Sequence, residues 1–140
     1  MPGTRRSRAR SLASLALFLM AASPQDGIDA PLLGLQGNPV RGAAVVARQS
    51  STCVLCHAGP YPNPHLQGNI GPDLHGVGAR LTSAQLRLRL VDAAQANPDT
   101  VMPSFYTTKR LTRVGPAWRD RPILSAAEVE DAVAYLATLQ

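Results

Sequence analysis

The sequence has 140 residues, enough for one domain, and its 14 Lys and Arg against nine Asp and Glu give a formal charge of +5. Four of those cations, Arg5, Arg6, Arg8 and Arg10, lie in the first ten positions; beyond them the balance is 10 minus 9, or +1, so the charge offers nothing to a nucleic-acid partner. Beyond residue 23 only one Phe, three Tyr and one Trp remain, an aromatic content too thin for a small domain to build its core without a staple or a cofactor.

The basic start is followed by an apolar run of 11 residues, Leu12 to Ala22, and then by Ser23 and Pro24. This order predicts a secretory signal peptide over about residues 1–23, and hence a periplasmic protein. The run is too short for a membrane span, which needs about 20 apolar residues, so no span is expected after the signal is removed. Asn38-Pro39 then opens a helix, with a capping side chain before proline in the first turn. Val40, Ala43, Ala44 and Ala47 line one face of it at helical spacing. Gly42 weakens such a helix, which implies a close approach by another one.

Cys53-Val54-Leu55-Cys56-His57 is the C-x-x-C-H pattern of covalent haem attachment. Each thiol adds across a haem vinyl group to form a thioether, and His57, next in line, supplies the proximal nitrogen to the iron. A thioredoxin-like site would want a βαβ setting. A zinc site would want four ligands, and there is no second Cys pair. A disulfide between cysteines three apart closes almost no loop and stabilises little. The predicted cofactor is one covalent haem c.

Ala58 to Ala79 is rich in Gly, Pro and Asn and has no periodicity. Thr82 to about Ala96 reads as a helix with Leu86, Leu90 and Ala93 on one side. A second irregular stretch, Asn97 to Leu124, contains Met102, 45 positions after His57 and the only methionine once Met1 and Met20 leave with the leader. A lone Met is usually a core filler, but a haem with an open face favours it as the sixth ligand. His65 lies too close to His57 to wrap round the macrocycle, and His75 sits in the segment after the motif, so Met102 is preferred to both. Lys109, Arg110, Arg113, Arg119 and Arg121, with Asp120 among them, form either a solvated face or one that steers an acidic partner or neutralises haem propionates; Arg80 is ambiguous in the same way. Ser125 and Glu128 make a capping box. Val129, Val133 and Leu136 then stripe a terminal helix running to about Gln140. With no alternating strand, the fold class is all-α, with two long loops available to wrap the haem.

Gly71-Pro72-Asp73-Leu74-His75-Gly76-Val77-Gly78-Ala79-Arg80 resembles the segment that follows the haem motif in class I cytochromes c. That resemblance implies a small class I cytochrome c-like fold, a Pro72 carbonyl accepting the His57 ring proton, and Leu74 packed on the haem. More narrowly, GNPVRGAAVVARQSSTCVLCHAGP, LRLRLVDAAQANPDTVMPSFY, LTRVGPAW and PILSAAEVEDAVAYLATLQ look like the SoxX family, and the likeness runs over a cytochrome c domain at about residues 37–140. It implies a mono-haem subunit of a SoxAX complex, an L-cysteine S-thiosulfotransferase of thiosulfate oxidation. The SoxA-type subunit would form a heterodimer with this chain and carry the reactive cysteine. A SoxYZ-type carrier would receive the thiosulfate, and a soluble cytochrome would accept the electrons.

The residues agree with a subunit that is not catalytic alone. There is no third cysteine for a sulfur substrate, no carboxylate pair and no Ser-His-Asp set. A His57/Met102 pair fills both axial positions and raises the potential, which favours electron transfer. A haem-based sensor would need an open sixth position. A stand-alone periplasmic electron shuttle is the alternative.

Overall fold

In the computed structural model, residues 27–140 are described; the expected signal peptide lies outside them. Their α-helices are α1 (Pro39–Ala47), α2 (Cys53–Cys56), α3 (Val77–Arg80), α4 (Ser83–Val91), α5 (Ala93–Ala96) and α6 (Ala126–Leu136), joined by loops and short 3₁₀ turns. No strand occurs among the described residues, so the fold is all-α. None of their helices is long and apolar enough to cross a membrane.

Asn38 caps α1 by accepting from the Arg41 N–H at 3.0 Å, with Pro39 in the first turn. The buried face of α1 is Gly42, Val45 and Val46, while Val40 is 79% exposed. The expected stripe through Val40, Ala43, Ala44 and Ala47 is therefore not the packed one. Both sets have helical spacing, and the glycine chooses between them. A Cβ on Gly42 would run into the Asp131 carbonyl and lie 2.7 Å from the Tyr135 Cβ, so α1 crosses α6 where it has no side chain.

α6 begins at the Ser125/Glu128 capping box and buries Val129, Ala132, Val133 and Leu136. Thr82 and Gln85 form a second capping box at the start of α4. The expected helix from 82 to 96 is interrupted at Asp92, whose backbone leaves the helical region (φ −150°, ψ 84°). The second loop causes this break. Phe105 N–H donates to the Leu90 carbonyl at 2.9 Å and Thr107 N–H to the Val91 carbonyl at 3.0 Å, taking acceptors that a continuing helix would use. The Asp92 carboxylate accepts from Ser104 Oγ at 3.1 Å and Arg110 Nε at 3.2 Å. Leu86, Leu90 and Ala93 are buried as expected, but so are Arg87 and Leu88.

Arg87 makes a two-pronged pair with Glu130 on α6, Nε to Oε1 at 2.8 Å and Nη2 to Oε2 at 3.0 Å, with both side chains at most 6% exposed. The pair also ties down residues 27–36. Arg87 Nη1 donates to the Ile28 carbonyl at 2.6 Å, and Leu32 N–H donates to Glu130 Oε1 at 2.9 Å. The neighbouring Asp131 accepts from Asn38 N–H at 2.7 Å and from Arg41 through two bonds of 2.7 Å. Two adjacent acids on α6 thus hold the chain that leads into α1.

Hydrogen bonds from Arg41 keep the Asp131 carboxyl below its usual range. A carboxyl lowered in the folded state stabilises above the unfolded pKa of about 3.9 and loses that contribution as pH falls through the lowered value. Wild type should therefore melt above Asp131→Asn at pH 7, and the gap should shrink steadily below about pH 4. Thermal melts at intervals from pH 7 to pH 2 measure it; a gap independent of pH would contradict the assignment.

Candidate haem-attachment site

The approach to the motif is set by Ser51, which is fully buried; its Oγ donates to the Val45 carbonyl and lies 3.0 Å from the Arg48 carbonyl at the end of α1. Thr52 then adopts a left-handed conformation (φ 62°) and turns the chain into α2. In that single turn Cys53 and Cys56 stand three residues apart and so share one face. Both are half-buried and neither is in a disulfide. Burial pushes the Cys53 thiol up to about 11, which keeps it protonated near neutral pH.

His57 follows in extended backbone, its N–H donating to the Cys53 carbonyl at 2.9 Å. Its Nδ1 lies 2.6 Å from the Pro72 carbonyl oxygen. A carbonyl only accepts, so Nδ1 carries the proton and Nε2 keeps its lone pair for a metal. The same hydrogen bond orients the ring.

Two glycines bring the loop after the motif onto α2. Gly71 N–H donates to the Cys56 carbonyl at 2.7 Å, and Gly68 N–H to the Val54 carbonyl at 2.9 Å. A Cβ on Gly71 would lie 2.6 Å from His57 Nδ1, and one on Gly68 would lie 2.8 Å from the Cys56 nitrogen. Neither contact was read from the sequence, where the glycines pass for turn formers; the signal was a glycine directly before the histidine-binding proline. Leu74 N–H donates to the Ala58 carbonyl at 2.8 Å and its side chain packs on the core.

Met102 is half-buried and packs against the same core cluster as Cys53 and Leu74. Its N–H donates to Thr100 Oγ1 at 3.1 Å. The rival histidines are both exposed: His65 lies in the turn Pro64–Leu66, and His75 Nδ1 lies 2.7 Å from Asp73 Oδ1. Arg80 is engaged locally, donating to the His75 and Asp73 carbonyls at 2.7 Å each.

The donor set fits a c-type haem: two thiols on one helical face, an imidazole with Nε2 available, and one thioether on the shared core. Tyr61 Oη adds to the fit. It is buried and makes no hydrogen bond in the protein, a costly state that a propionate acceptor would relieve.

The family model for cytochrome c matches residues 39–140. The chain belongs to the cytochrome c family. The cytochrome accordingly carries covalently bound haem c and has an electron-transfer domain. A chain in the crystal structure of SoxXA from P. pantotrophus is similar to it, with a TM-score of 0.75 and 35% identity, covering 82% of the cytochrome and 90% of that chain. The cytochrome is thus a SoxX-like class I cytochrome. No curated protein sequence matches it.

If Cys53 and Cys56 are the attachment points, protein exported from cells competent in haem attachment should gain the mass of one haem. The double substitution of both cysteines by Ser should release all of its haem to acid and organic extraction. Haem retained by the double variant would refute those positions.

Proposed function

We propose that the cytochrome is the periplasmic electron-transfer subunit of a SoxXA-type complex, working in thiosulfate oxidation beside a SoxA-type subunit. The observation that carries this reading is the His57 ring fixed on Pro72 in a chain that matches a SoxXA chain over 90% of that chain's length. Cys53 and Cys56 would hold the haem, and His57 and Met102 would bind its iron. Bound haem supplies a one-electron couple. The protein's part is to hold His57 as the Nδ1–H form, aim Nε2, and present the Met102 sulfur from the second loop, so that the ligand set need not reorganise when the electron moves.

With Cys53 and Cys56 assigned to the haem, the sequence has no further cysteine to hold a sulfur substrate, so the thiosulfate chemistry would belong to the partner, and a SoxYZ-type carrier would receive the product. The electron would leave through this cytochrome to a soluble one. Thiosulfate-dependent reduction of an external cytochrome, measured with this chain alone, the SoxA-type subunit alone and both together, tests the assignment. Activity is expected only from the pair, which should co-purify. Full turnover by this chain alone would overturn the subunit role, and failure to co-purify would favour a free shuttle.

A further inference from the structure

The cations of the cytochrome are unevenly engaged. Arg41, Arg48, Arg87 and Arg110 pair with carboxylates. Arg80 and Arg89 donate to backbone carbonyls. Among the described residues, the basic side chains left without such a partner are Lys109, Arg113, Arg119 and Arg121, all exposed. All four lie in one excursion of the chain. It leaves after Phe105 and returns at Leu124, whose N–H donates to the Phe105 carbonyl at 2.9 Å, and both residues at this neck are at most 2% exposed. The result is a surface loop, residues 106–123, closed at its base and rooted three positions after Met102. Arg110 fastens it to Asp92.

The loop also has shape. Arg113 (φ 57°) and Asp120 (φ 58°) both hold the left-handed conformation, which a side chain such as that of Arg113 rarely adopts. Together with Thr108, Leu111, Val114 and Arg119 they line a hollow of about 320 Å³. Trp118, the sole tryptophan, stands 64% exposed among the cations. Arginine and tryptophan are the side chains that most often anchor protein contacts.

We propose that the loop 106–123 is the docking face for an acidic protein that accepts the electron. This rests on the electron-transfer reading above. The step transfers one electron and no atoms: the ferrous iron of this cytochrome becomes ferric as the ferric iron of the acceptor becomes ferrous. A small anion fits less well, since the cations are spread over 13 positions and Asp120 sits on the wall of the hollow. The stable contact with a SoxA-type subunit fits less well too, because the centres of lasting interfaces are depleted in charge. Unpaired cations round an exposed indole suit a fast, short-lived, salt-sensitive encounter.

The test uses the haem-loaded, reduced cytochrome in stopped flow, with an acidic soluble cytochrome c as one oxidant and a neutral quinone as the other. The variant carries Lys109→Gln, Arg113→Gln, Arg119→Gln and Arg121→Gln. At about 10 mM ionic strength, where screening reaches only beyond about 30 Å, its second-order rate with the acidic cytochrome should fall at least about tenfold. The difference should close at about 0.5 M salt, and the quinone rate should stay within about twofold. Trp118→Ala should lower the rate while keeping the salt slope. A variant that matches wild type at low salt overturns the proposal. So does loss of co-purification with a SoxA-type subunit, or saturable thiosulfate binding at fixed ionic strength that the variant loses. If wild type delivers to neither oxidant, the underlying electron-transfer reading falls and the docking face with it.

Discussion

Glu130→Gln should destabilise the cytochrome by about 3–5 kcal/mol, the usual cost of removing one member of a buried ion pair. Such a loss is a large share of the ~5–15 kcal/mol that holds a typical domain together. The reason is local. Arg87 and Glu130 are both buried, and their two hydrogen bonds satisfy charges that water does not reach. With Gln in place, the Arg87 guanidinium stays in the dry site with its charge uncompensated. The strap at Ile28 and Leu32 shares the same two side chains, so it should loosen with them. Urea unfolding of the haem-loaded protein measures the change. The double variant Arg87→Met with Glu130→Leu should recover most of the loss, since apolar replacement of a whole buried pair is often neutral or better. A deficit below about 1 kcal/mol for Glu130→Gln would mean that the pair behaves as an exposed one.

Met102→Leu should abolish the sulfur-to-iron charge-transfer band of the oxidised protein in the far red, and Met102→Ala should do the same. Leucine nearly conserves the volume that Met102 contributes to the core, so the fold should persist at a cost below about 1.5 kcal/mol while only the sulfur is lost. The iron should become high-spin. Its potential should fall on the order of 0.1 V, a modest part of the ~0.8 V that axial ligands span, because a thioether favours the reduced state. Met102→Ala removes the packing as well and should also lower the melting temperature. If the band survives in the Leu variant, Met102 is not the ligand. If wild type itself shows no such band, His65 and His75 would be the next candidates, although both lie on the surface.

What the sequence by itself determined is whatever is written in neighbouring residues. The C-x-x-C-H motif is contiguous, so one helical turn suffices to put two thiols on a face and an imidazole after them. The Asn38 cap and the Ser125/Glu128 box act within three residues and appear in the structure as read. Periodicity announced α6 and the apolar side of α4, and composition called for a cofactor. The Pro72 carbonyl was reached only through a family likeness, because nothing local says that a loop 15 residues on will return to His57.

Only the tertiary structure decided which of the possible readings were used. Two faces of α1 have helical spacing, and the crossing with α6 at Gly42 selected one. The helix from 82 stops at Asp92 because the second loop supplies N–H donors to carbonyls that the helix would otherwise have kept. Arg87, Glu130 and Asp131 look like solvated charges in a list of residues, yet they are buried because partners distant in sequence satisfy them. The basic cluster was visible as a count, but its unpaired part was not. Whether a cation is available to a partner depends on which carboxylates the fold brings to the others, and that is a property of contacts across the chain.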